Sequence, residues 1–349
     1  MYYKNYTILT IVTFVTLTIA LNLSHNSNSV LAERIIQKIP IEFYPTELAL
    51  NEKNGHIYLN DRVTPSILVF DGKTYSLIQN ISVVDPTLDS KNSTTLEQSE
   101  DFYSAIYGDK PQKIFYNPLN GKIYVGFKGD SIRNATEIDE KSVKTMEQWP
   151  GGELKSMAFD TKHGKVYAVI GNFVYISDSN LNNLTLWKPN GAQIPALDVD
   201  YSIPNGKIYV LSKDLMIFDS NTNQSLKNIT LEETRDLVTN PNNGKVYVSA
   251  LKQYSDQNST VAIVDGTSDA IVNEIPAYQF GDFVVNTNNN DFYYQSGGGE
   301  YVWIIDGKTN TLKEKLYHAG MPAAFDPTNN HLYTLGSEGD NALIKVIGK

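Results

Sequence analysis

The stretch NPNNGKVYV at residues 240–248 decides the fold, because variants of it recur along the 349-residue chain. They read NEKNGHIYL at 51–59, NPLNGKIYV at 117–125, DTKHGKVYA at 160–168, SIPNGKIYV at 202–210, NTNNNDFYY at 286–294 and DPTNNHLYT at 326–334. Each is a turn followed by a strand. Asn-Gly, His-Gly or Asn-Asn supplies residues that tolerate positive φ, and the Ile/Val-Tyr pair after them is strand-forming. The repeated tyrosines, Tyr58, Tyr124, Tyr167, Tyr209, Tyr247, Tyr293 and Tyr333, are spaced by 66, 43, 42, 38, 46 and 40 residues. All but the first spacing suit the four-stranded blade of a β-propeller.

A second element comes after the first six turns, an apolar strand ending in Asp71, Asp139, Asp178, Asp219, Asp265 or Asp306 and then a Gly/Ser/Asn-rich turn. Asp accepts hydrogen bonds from turn amides two residues on, so these carboxylates are read as structural. A further strand comes next, as in LIQNISV at 77–83 and AIVNEIPA at 270–277. The last repeat stops one strand short, and RIIQKIPI at 34–41 matches 270–277 with no turn of its own. The expectation is an all-β, seven-bladed propeller of four-stranded antiparallel blades over residues 33–349, closed by an N-terminal strand completing the last blade. The long first spacing predicts an insertion at about residues 84–110, with a degraded eighth blade as the alternative.

A net charge of −10 and a pI near 5.0 argue against nucleic acid or an anionic membrane surface as partner. The absence of cysteine excludes disulfides, thiolate metal sites and cysteine nucleophiles. Lys4, an uncharged apolar run at 7–23 and Val30-Leu31-Ala32 predict a signal peptide at 1–32, the alternative being an N-terminal membrane anchor. Asn-X-Ser/Thr sequons at Asn80, Asn92, Asn134, Asn183, Asn223, Asn228 and Asn258 agree with export, although an Asn- and Thr-rich chain produces some by chance.

The combined turn-strand, the Asp turn and the strand ending in Ile-Pro resemble the YVTN family of β-propeller repeats, found in archaeal surface-layer proteins and YncE-like exported propellers. The Tyr-Val-Thr-Asn tetrapeptide is never complete; Tyr124-Val125, Tyr209-Val210 and Tyr247-Val248 keep its first half. The resemblance implies an extracytoplasmic seven-bladed propeller and little about chemistry.

Counting back from each turn residue, positions three and one before it should pack between blades, and positions four and two before it should face the channel. The latter include Glu47, Lys113, Asp198, Asp236 and Asp282, with Asp200 two before its turn. Such carboxylates at a channel mouth could take a cationic ligand, or Ca²⁺ at Asp198, Asp236 and Asp282. The plain reading is that an acidic protein places Asp at solvated strand starts. Among the histidines, His56, His163 and His331 are read as exposed turn residues, and His318 falls in a loop on the candidate ligand face. The aromatics Tyr44, Trp149, Trp187, Tyr254, Tyr278 and Trp303 are read as loop residues able to stack on a sugar or protein, or as blade filler. Gly297–Gly299 reads as a flexible loop, and no HExxH, GxSxG, Walker or GxGxxG motif is present. The expected function is a cell-surface or extracytoplasmic binding module, monomeric and needing no cofactor. Its partner would be a protein or glycan, or a small ligand at the channel mouth. The alternative is a propeller enzyme or metal-handling protein using that mouth.

Overall fold

The computed structural model describes residues 32–42, 45–61, 66–83, 111–127, 135–138, 143–146, 149–251, 259–277, 281–296, 301–339 and 341–349. The chain divides into two units, Met1–Ala32 and Glu33–Lys349, and all of the described strands belong to the second. The signal segment, the insertion at 84–110, the sequons at Asn92, Asn134 and Asn258, the turn at Asp139 and the Gly297–Gly299 loop lie outside the described residues.

The recurrent turn has the backbone its residues demand. Gly55, Gly121, Gly164, Gly206 and Gly244 take φ between 61° and 77°, and each N–H closes on the carbonyl four residues back. Asn290 and Asn330 stand at the same place at φ 69° and 60°. Asn tolerates the left-handed region, so two turns work without glycine.

Each turn joins two strands of a four-stranded antiparallel sheet, and the described residues form seven such sheets in a β-propeller. Six follow chain order, as in Asp198–Ser202, Lys207–Leu211, Leu215–Asp219 and Ser225–Ile229. The remaining sheet runs Met321–Asp326, His331–Glu338 and Asn341–Gly348, and its outer strand is Arg34–Ile41, paired Ile39 to Ile344. Apolar clusters fill the spaces between successive sheets. One holds Val199 and Ile208 with Tyr167 and Val174; another holds Tyr333 and Ile344 with Ile57 and Leu59, so the last sheet packs on the first.

The repeated motif explains how sheets grip one another. All seven motif tyrosines are buried, none more than 5 % exposed. Where their hydroxyls donate, they reach the Asp turn of the next sheet: Tyr167 to Ser220 O at 3.4 Å and Tyr333 to Gly72 O at 3.2 Å. The motif lysines do likewise, Lys165 Nζ to Ser220 O at 2.9 Å, Lys207 Nζ to Gly266 O at 2.8 Å and Lys245 Nζ to Gly307 O at 2.6 Å. In the last sheet no such turn exists, because its outer strand comes from the other end of the chain. There the buried Glu33 substitutes, its Oε1 accepting from the Tyr293 hydroxyl at 3.0 Å.

The Asp turns are as read. Asp71, Asp178, Asp219, Asp265 and Asp306 each accept backbone N–H bonds from residues two to four positions on. Those bonds hold the Asp71, Asp219, Asp265 and Asp306 carboxyls below the ordinary range.

Candidate functional site: the channel mouth

The innermost strands are Leu48–Asn51, Pro111–Asn117, Leu154–Asp160, Asp198–Ser202, Thr234–Thr239, Phe283–Val285 and Met321–Asp326. Each pairs with its own sheet on one edge only, so the other edge presents backbone N–H groups toward the channel. A backbone donor away from water needs a partner. Side chains of the preceding sheet supply it. Leu237 N–H donates to Asp198 Oδ2 at 3.1 Å, Thr239 N–H to Asp200 Oδ2 at 2.7 Å, and Phe283 N–H to Asp236 Oδ2 at 3.3 Å. Ser156, at the position of Asp198 in its own sheet, makes the same link with Val199 through its Oγ. The reading of these residues as merely solvated strand starts is therefore corrected: they are acceptors that tie one inner strand to the next.

The same residues line a cavity of about 570 Å³ together with Lys113, Phe115, Lys155, Arg235 and Gln295. Of the residues singled out from sequence, Lys113, Asp198, Asp200, Asp236 and Asp282 line it, and Glu47 joins through its ion pair with Lys113. His318 does not line it; it is an exposed residue at φ 52° whose carbonyl accepts from the buried Lys345 Nζ at 2.7 Å. Lys155, Arg235 and Gln295 were not expected. Lys155 and Arg235 are single charged residues in alternating strands, and only the assembled ring shows that they face one space.

The electrostatics are those of crowded carboxylates. Desolvation pushes Asp236 well above the ordinary range, and the neighbouring Asp198 and Asp282 charges push it further. The approach of the Asp198 carboxyl adds to the rise, so Asp236 holds its proton more tightly than a free carboxyl does. Desolvation also raises Asp200 to about 6, opposed by the Thr239 and Tyr201 N–H bonds. Glu47 is raised by burial in spite of Lys113, and Asp282 by burial although it stands exposed at the rim. Burial opposes the Lys113 charge, but Glu47, Asp282 and Asp236 hold its ammonium above the usual value. Among the described residues no three His, Asp or Glu side chains stand close enough to hold a metal ion. Asp198, Asp236 and Asp282 do not form such a group.

The histidine expectation also needs correction, and of the two readings of the tryptophans the structure supports blade filler. His163 and His331 are half-buried, not free turn residues: His163 Nδ1 contacts Asp160 Oδ2 at 2.7 Å, and His331 Nδ1 contacts the Tyr75 hydroxyl at 3.0 Å. Trp149 and Trp187 are each 5 % exposed; Trp187 packs edge-on against Tyr167 and Phe218. Trp303 packs edge-on against Tyr294 beneath Lys315. Trp149 and Trp187 are core, and the half-buried Trp303 packs against it. Tyr44, Tyr254 and Tyr278 lie outside the described residues.

Comparison with protein-family models gives no match, and comparison with curated proteins gives none either. Among solved structures, Kuenenia stuttgartiensis hydrazine synthase is similar, with a TM-score of 0.61 over 88 % of this chain and 97 % of that one, at 12 % identity. At that identity the likeness shows the fold alone.

Proposed function

We propose that the protein is an exported, seven-bladed propeller of the YVTN kind that acts as a binding module, holding a cationic group of its ligand at the acidic mouth of the channel. One observation carries this reading: Asp198, Asp200, Asp236 and Asp282 converge on a single cavity from rigid, mutually bonded strands. A cavity of about 570 Å³ falls within the ~300–1,000 Å³ span of small-ligand sites. Because among the described residues no three acidic groups close on one point, an extended organic cation such as a polyamine or a basic side chain fits better than a bare metal ion. The cationic Lys113, Lys155 and Arg235 lining the same cavity would orient a ligand that also carries an anionic end.

Calorimetric titration of the protein with spermidine, an arginine peptide and Ca²⁺ tests this. The organic cations should bind, and Asp282→Asn, which changes a rim carboxylate, should weaken them several-fold. Binding that is absent, or unchanged in the variant, would remove the mouth from consideration.

A further inference from the structure

The outermost strand of each sheet leaves a row of backbone groups unpaired, an edge on which another chain can add a strand; charged side chains there discourage it. Most outer strands carry such charges. Arg34–Ile41 has Arg34 and Lys38, Val143–Thr145 has Lys144, Ser225–Ile229 has Lys227, Ala270–Ala277 has Glu274, and Thr311–Tyr317 has Lys313, Glu314 and Lys315. Among the described outer strands two have none, Leu77–Ser82 (LIQNIS) and Thr185–Leu186 (TL). The first also leaves Leu77 and Ile78 at 54 % and 48 % exposure.

Both uncharged edges coincide with a sequon, Asn80-Ile81-Ser82 and Asn183-Leu184-Thr185. In each, the Asn and the hydroxyl residue are exposed while the residue between them turns inward. The Thr185 hydroxyl donates to Ile176 O of the neighbouring strand at 3.3 Å. By position before the inward-facing anchor, Asn80 stands where Lys38 and Lys315 stand ahead of Ile39 and Leu316. The remaining described sequons differ. Asn223 sits at φ 57° and accepts from the Tyr167 hydroxyl at 3.2 Å, and Asn228 donates to Asp214 Oδ2 at 3.2 Å in a strand that already has Lys227.

We propose that Asn80 and Asn183 carry N-linked glycans that guard the two uncharged outer edges. The inference rests on the protein being exported. The carboxamide nitrogen of each Asn loses a proton and takes the anomeric carbon of a lipid-phosphate-linked oligosaccharide, releasing the lipid phosphate. The attached glycan is bulky and solubilising, and so does sterically what charge does on the other edges.

The test is peptide mass mapping of the full protein recovered from the cells that naturally produce it, fraction by fraction. Peptides containing Asn80 and Asn183 should be heavier by an oligosaccharide. Ser82→Ala and Thr185→Ala, which keep both asparagines, should lose that mass and aggregate at several-fold lower concentration. Asn80→Lys in the Ser82→Ala background, restoring the charge found at Lys38, should recover solubility without sugar. Unmodified Asn80 and Asn183 peptides overturn the proposal wherever the protein is found. The fraction that holds the protein shows separately whether export falls with it. A variant that has merely misfolded is recognised by loss of its cooperative unfolding transition, and the wild-type mass map decides regardless.

Discussion

Asp198 and Asp200 place two carboxylates on one inner strand, each answering to a backbone N–H of the next sheet. Their position relative to the turn is a local property, and the sequence carries it. Their partners Leu237 and Thr239 lie 39 residues on, and no local pattern reports a bond of that span. The same limit explains His331, whose Tyr75 partner is 256 residues away. Asp200 gives a prediction at this scale. Its carboxyl, raised from 3.8 to about 6, binds a proton more tightly in the folded chain than in the unfolded one. Its contribution to stability is therefore fully present below about pH 4 and is lost as the pH rises through about 6. About two pKa units at ~1.4 kcal/mol each set an upper value of about 3 kcal/mol, reduced by the exposure the side chain keeps to the channel. Urea unfolding between pH 4 and 7 should show wild-type stability falling over this window and Asp200→Asn falling less. Equal pH dependence in the two proteins would contradict this account of the site.

The turn-strand element was the most legible part of the chain because everything it needs is within nine residues: a residue at positive φ, a closing N–H bond and a tyrosine for the core. What the tyrosine hydroxyl does was not legible, since its acceptor belongs to the next sheet. Tyr333 joins the last sheet to the first through Gly72 O, and Tyr333→Phe deletes that bond while leaving the ring in place. Removing the donor to a buried carbonyl costs about 1–2 kcal/mol. A correspondingly lower urea midpoint with an unchanged slope is the expected result. An unchanged midpoint would mean that packing alone, and not the hydroxyl, holds the sheets together at this junction. Trp187 does lie in a loop, and which of its two readings held was open for a related reason: it comes directly after the two-residue strand Thr185–Leu186, too short to signal a sheet edge, yet it is 5 % exposed.

Across the whole molecule, the pairing of Arg34–Ile41 with Asn341–Gly348 gives the last sheet its outer strand and brings Glu33 to Tyr293. That pairing was readable because residues 34–41 repeat the pattern of 270–277 without a turn. The channel mouth was readable only in part: five of its charged side chains follow from strand parity, whereas the raised carboxyl of Asp236 depends on its burial and on how closely the Asp198 and Asp282 charges of the neighbouring sheets approach it. On the proposed function, these crowded carboxylates receive the ligand's cationic group. A cation entering a cluster that holds extra protons must displace them. The decisive measurement is proton release on adding spermidine to the protein in weakly buffered solution at about pH 6. The account predicts protons released in step with binding, and distinctly fewer from Asp236→Asn. Binding without proton release, or the same release from the variant, would contradict it.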